Sequence, residues 1–196
     1  MADFEKVVTP KGELRYVNVT GEGKLDFDGK FREYTATLVL GKKEAKKFEK
    51  ELLKIFEDGK PTKWDKPPAN KFMRETEDGD FTFSFKTRAI KADGNPQKIT
   101  IKNPKNVETP LPDGVGIGNG SIGRISGSVS VYTNGKGNSQ KAGISLWLNG
   151  IQLLKFVKYV PNDGFDEEDG DFDSFDNSEF AESSDDKPKK KKKKKK

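Results

Sequence analysis

The stretch SIGRISGSVSVYT, residues 121–133, sets apolar and polar side chains in alternation, and AGISLWLNGIQLLKFV, residues 142–157, repeats that pattern. Alternation with a period of two is typical of β strands that bury one face. The turn-forming sequence NGKGNSQK separates the two runs. The side predicted to be buried carries Ile125, Val129, Val131, Ala142, Ile144, Leu146 and Leu148. Tyr132 and Trp147 are the lone aromatic residues on the polar side of their runs, so both are predicted to point away from the core.

Four further segments are predicted to be strands, because they are rich in β-branched and aromatic residues. They are residues 13–20 (ELRYVNVT), 30–40 (KFREYTATLVL), 81–90 (FTFSFKTRAI) and 98–102 (KITIK). The third of these alternates cleanly, so its three phenylalanines form one apolar face that we assign to the core. These are Phe81, Phe83 and Phe85.

One segment has a different period. Residues 42–58 place apolar side chains three and four positions apart, which predicts an amphipathic helix that ends before Gly59 and Pro61. The apolar positions are Ala45, Phe48, Leu52, Ile55 and Phe56.

A long loop, ordered or mobile, is predicted for residues 60–80, which contain three prolines and carry Trp64, Phe72 and Arg74. Long loops in compact domains are commonly functional. Five or six short strands with a single helix predict a mainly β fold, either a small Greek-key barrel or a related sandwich.

The chain of 196 residues contains no histidine and no cysteine. This composition excludes disulfides, Cys/His zinc sites, cysteine nucleophiles and Ser-His-Asp triads within the chain. Charged residues make up 35% of the sequence, against about 25% in typical globular domains. We therefore expect that part of the chain is not folded core, and that the protein is not an enzyme and needs no cofactor or metal.

Charge divides the chain into three parts. Residues 163–186 hold 12 acidic and no basic side chains, and residues 187–196 hold nine lysines and no acid. Removing these from the totals of 37 basic and 32 acidic residues leaves 28 and 20, a net charge of +8, in residues 1–162. We expect a folded binding domain over 1–162, a disordered acidic tail over 163–186 and a poly-lysine tip over 187–196.

The acidic tail also contains four aromatic rings, those of Phe165, Phe172, Phe175 and Phe180. Carboxylates interspersed with rings copy the two features that a nucleic-acid single strand presents, which are phosphates and bases. A plain solubilising tail is the alternative, but it does not need four phenylalanines. The spacing of the carboxylates lacks the glycine and the terminal glutamate of an EF-hand loop.

The body combines aromatic residues with cations on predicted strands, which is the chemistry of single-strand binding: cations follow phosphates and rings stack on bases. Arginine suits phosphate contact better than lysine does. The residues predicted to contact nucleic acid are Tyr16, Arg32, Tyr34, Trp64, Arg74, Lys86, Arg88, Arg124, Tyr132, Lys141 and Trp147. The alternative for the aromatic residues is ordinary core packing, and for the cations a solvated surface.

The glycine-rich segment GVGIGNGSIG, residues 114–123, superficially suggests a dinucleotide site. That fingerprint needs a strand before it and a helix after it, whereas a β run follows here. A turn in which the backbone approaches a ligand or another strand closely is the better interpretation.

The block from residue 118 to 155, with its Gly-Ser turn, alternating strand, glycine hairpin and final AGISLWLNGIQ strand, resembles the single-stranded DNA-binding proteins of tailed bacteriophages, a family that includes replication proteins of short-tailed coliphages. Over residues 5–165 the likeness is one of layout: a strand pair, a helix near 42–58, later strands and an acidic tail. One departure is that family tails generally end in acidic or aromatic residues, whereas this chain ends in lysines.

The resemblance implies a five-stranded OB-type Greek-key barrel with one inserted helix, which binds single-stranded DNA without strong sequence preference. It implies an acidic tail that competes with DNA and contacts replication proteins, and it implies dimerisation to a homodimer and strand annealing. Such a protein acts in phage DNA replication and recombination.

Three alternatives stay open at this point. A single-stranded RNA-binding protein of the same fold would use similar residues. A carboxylate-metal nuclease needs no histidine, and Glu75, Asp78 and Asp80 lie close together in the sequence, although they also fit an ordinary turn. A scaffold or virion protein would account for the tail but not for the aromatic residues on polar faces.

The N-terminal sequence MADFEKVVTPKGEL has no apolar run of signal-peptide length, and no apolar stretch of membrane-spanning length follows. We expect a soluble protein in the cytoplasm of the infected bacterial cell, with no membrane partner.

Overall fold

The computed structural model describes residues 4–135 and 139–161 of the chain, and in that part it contains nine strands and one helix. In chain order these are β1 (Glu5–Val8), β2 (Gly12–Asn18), β3 (Lys24–Leu25), β4 (Arg32–Leu40), α1 (Lys42–Gly59), β5 (Arg74–Glu75), β6 (Phe81–Arg88), β7 (Thr100–Lys102), β8 (Ser121–Asn134) and β9 (Lys141–Lys155). The prediction of a mainly β body with one helix is confirmed. The predicted acidic tail and lysine tip lie outside the described residues.

The five longest strands form a closed circuit of backbone pairing. β2 pairs with β4, β4 with β6, β9 with β8, and β8 with β2, all antiparallel, while β6 and β9 run parallel at Lys86 and Trp147. β1 and β7 extend the sheet from β8 and β9, and the two-residue strands β3 and β5 pair with β4 and β6. Among the described residues the sheet has nine strands rather than the five or six predicted, and the three that the sequence analysis did not predict, β1, β3 and β5, have only two to four residues each.

The first predicted strand ends earlier than expected, at Asn18 rather than at residue 20. Its backbone breaks pattern at Tyr16, which has a φ of 52°, and the pairing with β4 shifts between Arg15 and Asn18. A positive φ is uncommon for a side chain of this size. The local β propensity of YVNVT was therefore overridden at this point by the bend in the strand.

The core lies on the inner side of the alternating strands. Phe81, Phe83 and Phe85 are buried, as predicted. The seven apolar positions predicted from β8 and β9 are also buried, except Val131, which is partly buried against the core. The polar side of both strands consequently faces outward, and this orients Tyr132 and Trp147 as the alternation predicts.

Helix α1 packs its five predicted apolar residues against this sheet, and all five are buried. The ring of Phe48 meets that of Phe83 edge to face, with centroids 5.1 Å apart. The last helical residue, Gly59, lies so close to Val131 that an added Cβ would come within 2.8 Å of its methyl group. No helix among the described residues has both the length and the apolar character that crossing a membrane requires.

The glycine-rich segment makes a close backbone approach, as interpreted above. A Cβ on Gly118 would lie 2.8 Å from the Lys158 carbonyl oxygen, and the Gly118 N–H donates to the Val157 carbonyl at 2.8 Å. Gly120 has a φ of +84°, where a larger side chain would be strained. The segment before β8 therefore packs against, and hydrogen-bonds to, the residues that follow β9.

The loop between α1 and β5 is bound to the free edge of β9 through Asn70. The Asn70 side-chain amide donates to the Ile144 carbonyl (2.7 Å), and the Ile144 N–H donates to Asn70 Oδ1 (2.9 Å). The neighbouring Ala69 N–H donates to the Ala142 carbonyl (2.8 Å). One amide side chain thus takes the place of a strand beside β9, and it orders a loop whose state the sequence left open.

Replacing Asn70 by alanine should lower the free energy of unfolding by about 1–3 kcal/mol, because it leaves the N–H and the carbonyl of Ile144 without their partners. Chemical denaturation would measure the loss. Thr62→Ala, which changes an exposed side chain of the same loop, is the control and should change stability by less than about 0.5 kcal/mol. Equal stability of the two variants would show that Asn70 does not hold the loop.

Candidate nucleic-acid interface

A groove of about 520 Å³ runs across the outward faces of β6 and β9. Strands β4 and β8 and the loop before β5 contribute its remaining walls. Its lining residues are Glu33, Asn70, Lys71, Phe72, Arg74, Thr82, Ser84, Lys86, Thr87, Arg88, Tyr132, Ile144, Ser145, Leu146 and Trp147.

The floor of the groove is a direct result of strand alternation. Because the phenylalanines of β6 point into the core, the residues between them, Thr82, Ser84, Lys86 and Arg88, point into the groove. The hydroxyl of Ser84 lies 3.2 Å from that of Thr37 on β4. A row of hydroxyl groups therefore leads into two cations along one strand.

Positive charge dominates the groove. Four cations line it, namely Lys71, Arg74, Lys86 and Arg88, against one carboxylate, that of Glu33. Lys86 Nζ lies 3.1 Å from Glu33 Oε1, but the lysine side chain is 63% exposed. The Glu33 side chain is only 18% exposed, but the ammonium group stays largely in solvent, where an ion pair contributes about 1 kcal/mol or less.

Arg88 is positioned by a ring. Its guanidinium carbon lies 4.1 Å from the centroid of the Phe31 ring, and Phe31 is itself largely exposed. A cation stacked on an aromatic face in this way is stabilised by about 0.5–1 kcal/mol at an exposed site. The contact fixes the side chain while leaving the guanidinium open to a ligand.

Trp147 stands where β6 and β9 meet. Its indole Nε1 donates to Ser130 Oγ (2.9 Å), and the Phe4 ring meets it edge to face with centroids 6.1 Å apart. The hydrogen bond orients the indole, and the ring is partly exposed in the groove.

Tyr132 lies across Gly143 of β9. A Cβ on Gly143 would come within 2.5 Å of the Tyr132 hydroxyl and within 2.5 Å of Asn70 Oδ1. The absence of a side chain at this position therefore allows the phenol ring to lie close to the strand. Tyr132 is 36% exposed, so part of the ring stays accessible.

The groove brings together five of the eleven residues predicted to contact nucleic acid. They are Arg74, Lys86, Arg88, Tyr132 and Trp147. They come from four separate segments of the chain, and they meet because the strand circuit places β6 beside β9. The other six residues lie elsewhere, and the four tail phenylalanines lie outside the described residues.

The structure corrects the prediction for Tyr34. Its ring is 8% exposed and belongs to the core, and its hydroxyl donates to the Gly21 carbonyl at 2.8 Å. Tyr34 has the same strand parity as the buried Ala36 and Leu38, so the alternation of β4 carries it inward. A ring in this position has no free face for a base.

Trp64 is a second correction. It packs partly buried against the core rather than in the groove. Its indole Nε1 is buried without a hydrogen-bond partner among the described residues. The loop position favoured exposure, but the ring covers apolar surface instead.

The remaining four predicted residues are dispersed over the surface. Tyr16 is 73% exposed away from the groove. Arg32 forms an ion pair with Glu22 (3.2 Å), and Lys141 is exposed at the start of β9. Arg124 lines a different groove, described below.

Several residues of the groove were not predicted from the sequence as ligand contacts. Lys71 and Phe72 line it because Asn70 fixes their loop, and Phe4 and Phe31 act through Trp147 and Arg88. The sequence predicts Phe72 to lie in the loop and assigns it no contact. For Lys71 the sequence carries no distinguishing signal, since lysines are frequent throughout the body.

Of the three carboxylates considered for a nuclease, Glu75 ends β5, and Asp78 and Asp80 lie in an ordinary turn that follows it. The Thr76 N–H donates to the Asp80 carbonyl (2.8 Å), and Gly79, with a φ of +80°, donates to the Thr76 carbonyl (3.1 Å). These bonds close the hairpin between β5 and β6. Within residues 4–135 and 139–161 there is no group of three or more acidic side chains arranged to hold a metal ion.

No protein-family model matches the sequence, and no curated protein matches it. Solved structures do. The single-stranded DNA-binding protein gp2.5 of bacteriophage T7 aligns with a TM-score of 0.55 and 16% identity, over 82% of this chain and 92% of that one. The C-terminally truncated single-stranded DNA-binding protein of bacteriophage Enc34 aligns with a TM-score of 0.55 and 13% identity, over 76% and 85%.

The Enc34 protein in complex with single-stranded DNA aligns with a TM-score of 0.51 and 11% identity, over 76% of this chain and 86% of that one. At sequence identities this low, the alignments show similarity of fold alone. This similarity agrees with the resemblance found in the block from residue 118 to 155. The described part of this chain has the fold of the single-stranded DNA-binding proteins of bacteriophages T7 and Enc34.

Proposed function

We propose that this protein binds single-stranded DNA, largely independently of sequence and without catalysis. The observation that carries the proposal is the groove on β6 and β9, in which four cations and two oriented rings share one face. The likeness of fold to two phage proteins that bind single-stranded DNA supports it. The same likeness supports a role in phage DNA replication and recombination, in the cytoplasm of the infected bacterial cell.

The closed pairing of β2, β4, β6, β9 and β8 supports assignment to a five-stranded OB-type barrel. In this assignment α1 is inserted between the second and third strands of the barrel. Barrels of this type bind oligonucleotides on the face of their second and third strands. Those strands are β4 and β6, and the groove lies on the outward face of β6.

Phosphate capture is the first part of the proposed mechanism. The four groove cations approach successive phosphates and release the counterions that the strand carries. A phosphate near Lys86 competes with Glu33 for the same ammonium group, and the exposure of that ammonium group favours exchange. Arg88 keeps its stacking contact with Phe31 and can still donate to a phosphate through its guanidinium edge.

Base stacking is the second part. Trp147 and Tyr132 come from adjacent strands. A hydrogen bond to Ser130 orients the indole, and close packing against Gly143 orients the phenol ring. A ring that is already oriented loses little freedom when a base stacks on it. Stacking accepts any base, because every base has an aromatic face, and binding is therefore largely independent of sequence.

Titration with oligo-dT while monitoring tryptophan fluorescence tests the proposed function. If all four groove cations contact phosphates, the logarithm of the binding constant should fall linearly with the logarithm of the salt concentration. The slope should have a magnitude of about 3, at about 0.7 per phosphate contact. Duplex of the same length should bind much more weakly. Equal affinity for duplex and single strand at moderate salt would contradict the stacking mechanism, and tighter binding to oligo-U than to oligo-dT would indicate an RNA-binding protein instead.

The chain has two tryptophans, so the source of the signal can be identified. We expect the Trp64→Phe variant to keep the quenching by oligo-dT, because Trp64 packs against the core, and the Trp147→Phe variant to lose it.

The Trp147→Ala and Tyr132→Ala variants should each bind oligo-dT more weakly by about 1–3 kcal/mol, which is the usual free energy of stacking one base on an aromatic side chain. Tyr16→Ala, which removes an exposed tyrosine outside the groove, is the matched control and should leave affinity unchanged. Thermal melting should be measured in parallel. A large loss of stability with normal binding by the remaining folded protein would assign both rings to the core.

The acidic tail is proposed to compete with DNA for the body. Its 12 carboxylates are tethered to a domain of net charge +8 and so act at high effective concentration. The nine terminal lysines can neutralise part of that charge. By analogy with the resemblance stated above, the tail also contacts replication proteins, and the body forms a homodimer.

Truncation after residue 161 should tighten binding to single-stranded DNA at low salt, and the gain should shrink at high salt as screening shortens the Debye length to about 3 Å at 1 M. Removal of residues 187–196 alone should weaken binding, since it leaves the acidic competitor unneutralised. Comparative titration of the three chains at two salt concentrations measures both effects. Tighter binding by the shorter deletion at low salt would refute the neutralising role of the lysines.

A further inference from the structure

A second groove, of about 340 Å³, lies on the outward face of β7, β8 and β9. Lys102 and Arg124 are its two cations, and no carboxylate lines it. Neither cation forms an ion pair with a carboxylate in the described part of the chain. Glu108, the acid that Lys102 influences electrostatically, is itself paired with Lys98 at 2.6 Å, so the groove presents cations that lack a directly paired carboxylate among the described residues.

The two grooves meet along β9. Asn149 lines the second groove and donates through its side-chain amide to Ser128 Oγ (2.6 Å). Ser128 lies directly opposite Trp147, which lines the first groove. Trp147 and Asn149, one in each groove, are therefore separated along β9 only by the buried Leu148.

A local irregularity of β9 shapes this junction. The pairing of β8 with β9 shifts between Ser126 and Gly127, because their partners are Gly150 and Leu148, and Asn149 is left without a partner residue. Such a bulge turns the side chains beyond it. The Phe4 ring, 58% exposed, stands beside Trp147 at the same place.

The far wall of the second groove is a rigid turn. Asn103 Oδ1 accepts from the N–H groups of Lys105 and Val107, both at 3.0 Å, and Gln152 Nε2 donates to the Asn103 carbonyl at 3.3 Å. Asn106 Oδ1 then accepts from Lys102 Nζ at 2.9 Å. The ammonium group is therefore held at the groove by a neutral partner that leaves its charge intact.

We propose that the second groove continues the path of the single strand beyond Trp147, with Lys102 and Arg124 contacting phosphates of the flanking nucleotides. This inference rests on the proposed function. Both grooves carry cations that form no ion pair in the described structure, and the nearest lining residues on β9, Trp147 and Asn149, are two positions apart, so a strand bound in the first groove can continue into the second. Asn149, Ser126 and Gln152 add uncharged polar groups that suit a sugar-phosphate backbone.

Oligonucleotide length separates the two grooves. The Lys102→Gln/Arg124→Gln double variant should bind oligo-dT of about five nucleotides as the unsubstituted protein does, since that length is near the lower limit for an OB fold. It should bind oligo-dT of about twelve nucleotides about 5- to 25-fold more weakly at 0.1 M salt, and its salt slope for the longer strand should fall by about 1.4, at about 0.7 for each lost phosphate contact.

The matched control is the Lys43→Gln/Lys50→Gln double variant, which removes two exposed charges from α1, outside both grooves. It should lose less than about twofold at either length, because screening weakens charges that are distant from the ligand. Thermal melting of both double variants verifies that each is folded.

Each outcome decides between the alternatives. Loss at the longer length alone supports the continuous path. Equal loss at both lengths would assign the two cations to the first groove, and loss at neither length, or a loss equal to that of the control, would leave the second groove outside the path; any of these results overturns the inference. If the unsubstituted protein binds neither oligonucleotide, the proposed function itself fails.

Discussion

Backbone hydrogen bonding by β9 connects every part of the molecule on which the candidate interface depends. One edge of the strand pairs with β8 over nearly its whole length. The other edge is shared in sequence by Asn70, by β6 at Trp147 and by β7 at residues 150–152. Because the partners on this second edge are distant in sequence, that edge is filled only when the rest of the sheet assembles beside it.

The parallel meeting of β6 and β9 then combines two kinds of chemistry. Strand β6 supplies the polar and cationic row because its alternate residues are the phenylalanines of the core. Strands β8 and β9 supply the rings because small residues, Ser130 and Gly143, receive them. None of these strands alone has both cations and oriented rings. The interface therefore exists only because β6 and β9 lie side by side.

The cations on the described surface differ in whether a carboxylate pairs with them. Arg15 is committed to Glu13 at 2.6 Å, and this hydrogen bond holds the pKa of the Glu13 carboxyl below its usual value. Lys86 in the first groove is 63% exposed and pairs with Glu33 at 3.1 Å, and no carboxylate lines the second groove. Both grooves therefore keep cations open to a polyanion on the outward face of the sheet.

Local sequence determined the type and approximate bounds of the main elements, the phenylalanine core of β6 and the outward direction of Tyr132 and Trp147, because a period of two or of 3.6 is a property of neighbouring residues. The alternation of β4 also indicated that Tyr34 is buried, because Tyr34 lies on the same side of the strand as Ala36 and Leu38. Its aromatic character nevertheless suggested a role in binding. Only the tertiary structure decided that Asn70 replaces a strand, that Trp64 packs inward and that Arg124 lies in another groove than Arg88. These outcomes depend on which strands pair and where β9 bulges, and such non-local contacts leave no pattern within a single segment.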